Sequence, residues 1–81
     1  MTDGATVEPS LDADEWIARF AASLGVEAPD AATVQTLLEL AGVAAHASER
    51  VAAPIACFLV GRAGLDVDEA LERSRSIAPA P

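Results

Sequence analysis

The residues that could carry chemistry lie close together between positions 39 and 50. His46 and Arg50 stand four positions apart, so they share one face if a helix continues between them. Gly42 lies one turn before His46, and its missing side chain would let another backbone come close. Glu39 adds a carboxylate. These four residues predict a surface that binds a partner protein or an anion. The competing interpretation is a solvated helix end whose charges pair weakly.

The same residues do not predict an enzyme. A general base needs a nucleophile or a substrate hydroxyl beside it, and a metal site needs three or four converging ligands. His46 is the only histidine and Cys57 the only cysteine, so neither a zinc site nor an internal disulfide is predicted. The glycines at 61 and 64 are too close together for a phosphate loop, and no lysine follows them. We therefore predict no catalytic residue, no cofactor and no metal.

Two acidic runs, at 12–15 and 66–69, are the remaining candidates for a cation site. Both stand where a helix N-terminus favours negative charge, so helix capping explains them without a metal. Cys57 lies in an apolar stretch, where a thiol behaves as a small hydrophobic side chain. We expect it in the core.

Capping residues and apolar spacing predict an all-α fold. Asp12, Asp30 and Asp66 are suitable N-caps, Gly25 is a suitable C-terminal stop, and Pro54 fits the first turn of a helix. The predicted helices span 12–24, 31–48, 54–63 and 67–77. Because the connections are short, neighbouring helices should turn back on one another in a compact four-helix antiparallel bundle.

The stretch 55–60 is apolar on every side, which is typical of a buried helix, although six such residues could also form a strand. Alanine-rich flanks favour the helix. Truncation of Phe58 to alanine is therefore expected to cost about 3–5 kcal/mol. The expected core comprises Trp16, Phe20, Leu24, Leu37, Leu38, Ala41, Ile55, Phe58, Leu59 and Leu71.

Length and charge limit the remaining possibilities. Eighty-one residues allow one domain, with residues 1–10 predicted as a flexible tail and 11–78 as a single helical domain. Thirteen acidic residues against five arginines give a net charge of -8, which repels phosphate, so neither a nucleic-acid nor a membrane partner is expected. The first residues lack the pattern of a signal peptide. We expect a cytoplasmic protein.

Six short segments together form a fairly specific string. They are Glu15-Trp16-Ile17, Leu24-Gly25-Val26, Val43-Ala44-Ala45-His46, Glu49-Arg50, Ala53-Pro54-Ile55 and Phe58-Leu59-Val60-Gly61. The string resembles a family of small uncharacterised actinobacterial helical domains. Members occur alone or associated with the guanylyltransferase that completes molybdopterin-guanine dinucleotide.

The resemblance implies a non-enzymatic accessory or regulatory domain in molybdenum cofactor biosynthesis, with that nucleotidyltransferase as its protein partner. The alternative is a general protein-interaction or dimerisation module, including a homodimer, without any tie to the pathway.

Overall fold

The structure, a computed structural model, describes residues 12–77, and this part of the chain forms four helices and no strand. The helices are α1 (Ala13–Leu24), α2 (Ala31–Ala47), α3 (Ala52–Ala63) and α4 (Val67–Arg75). The predicted all-α fold with four helices is confirmed, and the stretch 55–60 is helical. The tail predicted at 1–10 lies outside the described residues. None of the four helices is long and apolar enough to cross a bilayer.

All three predicted N-caps are confirmed. The aspartate carboxylates accept hydrogen bonds from the backbone N–H of Glu15 (to Asp12, 2.8 Å), Thr33 (to Asp30, 2.8 Å), and Asp68 and Glu69 (to Asp66, 3.1 and 3.2 Å). Gly25 and Gly64 end α1 and α3 with φ of 76° and 66°. Only glycine adopts these left-handed values without strain at Cβ, so both helices stop where a glycine stands.

The start of α1 and the end of α2 each differ from the predicted boundary by one residue, and the start of α3 and the end of α4 each differ by two. Helix α3 begins at Ala52, so Pro54 is its third residue. Proline is tolerated there because the N–H groups of a first helical turn have no partner within the helix. Helix α4 ends at Arg75 with Ser76 as its cap, two residues before the predicted end.

The core lies where α2 packs against both α3 and α4. Its centre is Leu40, which is 2% exposed and packs with Ala70 and Leu71 of α4. A side-chain hydrogen bond also joins α2 to α4: the hydroxyl of Thr36 donates to a carboxylate oxygen of Asp68 at 3.2 Å. The partly buried residues around this centre are Val43, Ala56, Cys57, Val60 and Leu65. The expectation that Cys57 lies in the core is therefore met in part.

Helix α1 forms no interface of comparable extent with any other helix in the described part of the chain. Ala21 is its only buried residue, and Ile17 is partly buried. An open cleft of about 370 Å³ separates α1 from the start of α2. It is lined by Asp14, Ile17, Ala28, Pro29, Ala31, Val34 and Gln35. The contacts of α1 are thus concentrated on the side of the helix that carries Ile17 and Ala21.

Most of the predicted core is wrong. Leu71 is buried, Leu37 and Ala41 are partly buried, and the other seven residues are exposed: Trp16, Phe20, Leu24, Leu38, Ile55, Phe58 and Leu59. Helix α3 has no buried residue. Its apolar side chains cover its whole circumference, but its neighbours reach only one side, so the other sides stay exposed. Phe58 is 60% exposed, so the large cost expected for its truncation does not apply.

The contrast between Leu40 and Leu38 gives a matched test of this core. Both leucines lie in α2, and they are 2% and 63% exposed. Leu40→Ala should lower the free energy of unfolding by about 2–5 kcal/mol, whereas Leu38→Ala should change it by about 0.5 kcal/mol or less. Urea unfolding followed by circular dichroism measures both values. Equal losses in the two variants would contradict the placement of the core.

The cap of α2 predicts a pH dependence. Hydrogen bonds from the backbone N–H and then the hydroxyl of Thr33 lower the pKa of Asp30 below its ordinary value of 3.8. A depressed folded-state pKa stabilises the fold above the unfolded value, and this contribution is lost as pH falls through the folded pKa.

The difference in unfolding free energy between wild type and Asp30→Asn should therefore shrink as the pH is lowered from neutrality to below 3.8. Asparagine keeps the capping acceptor, and all other acids titrate alike in both proteins, so they cancel in the difference. Denaturant titrations at a series of pH values measure it. A difference that is constant with pH would mean that the carboxylate charge of Asp30 does not stabilise the helix.

Candidate functional site

His46 lies on an exposed side of α2, and its ring is bonded to its own helix. Nδ1 lies 2.7 Å from the carbonyl oxygen of Gly42. A carbonyl oxygen only accepts hydrogen bonds, so Nδ1 carries the proton and donates it. Nε2 is then the ring nitrogen that remains for a partner. Gly42 precedes the last four residues of α2, so this bond holds the imidazole against its own helix and does not satisfy a carbonyl left open by the helix end.

Arg50 does not share a helical face with His46. Helix α2 ends at Ala47, and Ser48 leaves the helical conformation with φ of −139° and ψ of −104°. Arg50 therefore stands in the turn between α2 and α3, where it is exposed. The ion pairs found among residues 12–77 are Arg73–Glu69 (2.9 Å) and Arg75–Glu72 (3.7 Å). In that part of the chain Arg50 has no carboxylate partner.

Glu39 and Gly42 lie on the same side of α2 as His46. Glu39 is exposed and precedes His46 by seven residues, which is two helical turns. A Cβ added to Gly42 would meet nothing within 4 Å. No packing among residues 12–77 therefore requires a glycine there, and a close approach at Gly42 would have to come from outside this part of the chain. The structure thus joins three of the four predicted site residues and leaves Arg50 beyond the helix end.

The acidic runs act as helix caps, as predicted. The carboxylates of Asp12 and Asp66 bind backbone N–H groups of α1 and α4. No group of three potential metal ligands was found in the described range. Cys57 is a free thiol, partly buried against the core.

Three apolar surfaces are exposed instead of buried. The first, named here the α1 ridge, comprises Trp16, Phe20 and Leu24, which are 53%, 49% and 60% exposed. The rings of Trp16 and Phe20 are 5.0 Å apart between centroids. Because the three residues are spaced by four, they form one continuous strip along the helix.

The second surface, the α3 strip, comprises Val51, Ile55 and Phe58. They are 69%, 59% and 60% exposed. Spacings of four and three place them on one side of α3 and of the residue that precedes it. The strip begins directly after Arg50 in the chain.

The third surface, the α3–α4 groove, is an open depression of about 220 Å³ above Leu40. Its polar lining consists of Arg73 and Ser74. The apolar lining consists of Leu40, Ala56, Leu59, Val60, Leu65, Ala70 and Ile77. The outer members, Leu59 and Ile77, are 55% and 68% exposed.

Sequence reasoning missed these surfaces because it assigned most of their large side chains to the core: Trp16, Phe20, Leu24, Ile55, Phe58 and Leu59. The usable signal was α3 itself. A helix that is apolar all round needs neighbours on all sides, and the three other helices of the described residues cannot supply them without leaving their own faces uncovered.

Gly42 and Gly61 give a test of the open space on the helices. Both lie inside helices, and neither has an atom within 4 Å of an added Cβ. Alanine at either position should raise the free energy of unfolding by about 0.5–1 kcal/mol, because glycine is the poorer helix former. Thermal and urea unfolding measure the change, with Gly61→Ala as the matched control. Destabilisation by Gly42→Ala alone would reveal a contact within the chain.

The chain was compared with known families and proteins. Residues 8–80 match a family described as Domain of unknown function (DUF6457). No curated protein and no solved structure was found to match. The family match extends over almost the whole chain, including all four helices. This chain therefore belongs to the DUF6457 family.

Proposed function

We propose that this domain is a non-enzymatic accessory domain that binds another protein through the α3 strip and the turn before it. The observation that carries the proposal is the exposure of Val51, Ile55 and Phe58 on one side of the chain. Single exposed apolar residues are ordinary, but a contiguous patch on a small protein marks an interaction surface.

The chemistry of the strip suits an interface centre. Such centres are enriched in aromatic residues and depleted of charge, with a polar rim around them. Phe58 supplies a large ring, and Ile55 and Val51 extend the patch without a charge between them on that side. Truncating these side chains removes contacts that exist only in the complex, because the free chain leaves them in water.

Arg50, one of the polar residues predicted from the sequence, stands at one end of this strip. Arg50 precedes Val51 directly, and its planar guanidinium suits a carboxylate or phosphate on a partner. His46 lies on the last turns of α2, with Gly42 and Glu39 along the same side. An apolar centre with an arginine at its edge, and with His46 four residues earlier in the chain, supports a docking surface more than a catalytic pocket.

The partner that the sequence resemblance favours is a molybdopterin guanylyltransferase. This identification is supported by the string of segments that includes His46, Arg50 and Phe58. Arg50 and Phe58 belong to the proposed surface and His46 lies four residues before Arg50 in the chain, so the resemblance and the proposed surface concern the same stretch of sequence.

Binding to the transferase tests the proposal. The purified enzyme, from the same organism, is titrated with wild-type domain, with Ile55→Ala/Phe58→Ala and with His46→Ala/Arg50→Ala by isothermal titration calorimetry. Each double variant should bind about tenfold more weakly or worse, a loss of about 1.4 kcal/mol that is typical of central interface residues. The melting temperatures should not fall, because all four side chains are exposed.

Leu38→Ala is the control, since Leu38 is 63% exposed and lies outside the strip. It should bind as wild type does. If wild-type domain neither binds the transferase nor alters its rate, the transferase is not the partner. If the variants melt well below wild type, the four residues are structural and the surface lies elsewhere.

A further inference from the structure

We propose that the α3 strip binds an acidic amphipathic helix of the partner protein, whose apolar stripe carries carboxylates beyond both of its ends. This inference rests on the proposed function, since it gives the chemistry of the partner for the same surface. It adds Arg62 as a second charged contact, at the end of the strip opposite Arg50.

Arg62 continues the line of the α3 strip. It follows Phe58 by four residues and Ile55 by seven, so the helical spacing places it on the same side of α3. It is exposed and lies in the last turn of the helix. Arg50 directly precedes Val51 at the other end. The strip is therefore an apolar centre with one arginine beyond each end.

Neither arginine is paired with a carboxylate among residues 12–77. The ion pairs found there belong to Arg73 and Arg75 on α4. A positive charge in the last turn of α3 also complements the helix dipole, but that interaction does not use the guanidinium donors of Arg62. Within the described range both guanidinium groups thus keep their planar fork for a carboxylate of another molecule.

The strip lies in a positively charged segment of an acidic protein. Residues 50–65 contain two arginines and no acid, so they carry a charge of +2. The thirteen acids and the other three arginines lie outside this segment, so the rest of the chain carries −10. An acidic helix is attracted by the strip and repelled by the remaining surface, which favours docking at the strip over docking elsewhere.

The shape of the strip favours a helix as its occupant. Val51, Ile55 and Phe58 project from one exposed side of a helix, and ridges of this kind pack into the grooves between the residue rows of another helix. The described residues contain no strand whose edge would pair with an extended peptide. From Val51 to Arg62 the helix rises by roughly 16–17 Å. The partner's carboxylates should therefore bracket a stripe of about three helical turns.

Two other occupants fit the charges less well. A second copy that used the same strip would place arginine against arginine, whether the two α3 helices ran parallel or antiparallel. An anionic membrane would attract both arginines, but it is a wide surface and would also meet the acids of the surrounding chain. A single helix covers the strip alone.

Two synthetic helical peptides test the charge pattern on the full chain. Both carry leucines at i, i+4 and i+7. The acidic peptide has glutamates one turn beyond each end of this stripe, and its twin has lysines there. By fluorescence anisotropy at low salt, the wild-type domain should bind the acidic peptide about tenfold more tightly than the twin. The difference should shrink as salt is added, because salt screens exposed charges.

Variants assign the effect to the strip. Arg62→Glu should weaken binding of the acidic peptide by about tenfold, and Arg62→Gln by about two- to fivefold, the effect of one exposed ion pair. Ile55→Ala/Phe58→Ala should weaken binding of both peptides. Arg19→Glu is the control, because Arg19 is also exposed, lies on α1, and its reversal changes the net charge by the same amount. It should bind as wild type does.

Several results would overturn the proposal. They are equal binding of the two peptides, no binding of either, and equal losses in Arg62→Glu and Arg19→Glu. Binding to phosphatidylserine vesicles by a chain that ignores the acidic peptide would also overturn it, since the strip would then be a lipid-binding surface.

Calorimetry with the transferase separates this inference from the proposed function. If the transferase does not bind but the chain distinguishes the two peptides, the partner is wrong and its chemistry is right. If Ile55→Ala/Phe58→Ala weakens transferase binding and Arg62→Glu leaves it unchanged, the surface is right and the charge pattern is wrong.

Discussion

Leu40 is the side chain on which the described structure depends most. It is the most deeply buried of residues 12–77, and it holds α2 against Ala70 and Leu71 of α4 and against the inner side of α3. A domain of this size is stable by only about 4–12 kcal/mol, so a single leucine worth a few kcal/mol is a large share of the total. Alanines at 56 and 70 let the helices come close enough for one leucine to serve all three.

Packing around one small centre leaves much apolar surface unused. Helices α3 and α4 each present one narrow side to Leu40 of α2, while α1 adds little to the same core. The residues with the greatest capacity to stabilise by burial, Trp16, Phe20 and Phe58, remain about half in water. Contact with another molecule could still bury these exposed apolar surfaces and gain the corresponding free energy. For this reason the fold favours a binding role.

Local features of the sequence predicted local features of the structure. Asp12, Asp30 and Asp66 each cap the helix they precede, because an N-cap needs only its own side chain and the next turn of backbone. Gly25 ends α1 for a similarly local reason. These residues determine where helices begin and end, and the positions of these ends do not depend on how the helices pack.

Burial could not be predicted in the same way, because it depends on which side of each helix meets its neighbours. Helix α2 has apolar residues around most of its circumference. The side chosen from spacing alone contains Leu38, whereas the side that packs contains Leu40. The candidate site was mispredicted for a related reason. A shared face for His46 and Arg50 requires a helix that continues to residue 50, and α2 ends at Ala47.

The solvent exposure of Trp16 is the most direct test of the claim that the α1 ridge is unpartnered within one chain. Trp16 is the only tryptophan and there is no tyrosine, so its fluorescence reports one site without interference. Acrylamide is the suitable quencher, because it is uncharged and the acidic chain does not repel it. In dilute protein Trp16 should be quenched about half as strongly as free indole, in line with its 53% exposure. Strong protection of Trp16 at every dilution would show that the ring is buried inside a single chain, and would contradict an unpartnered ridge.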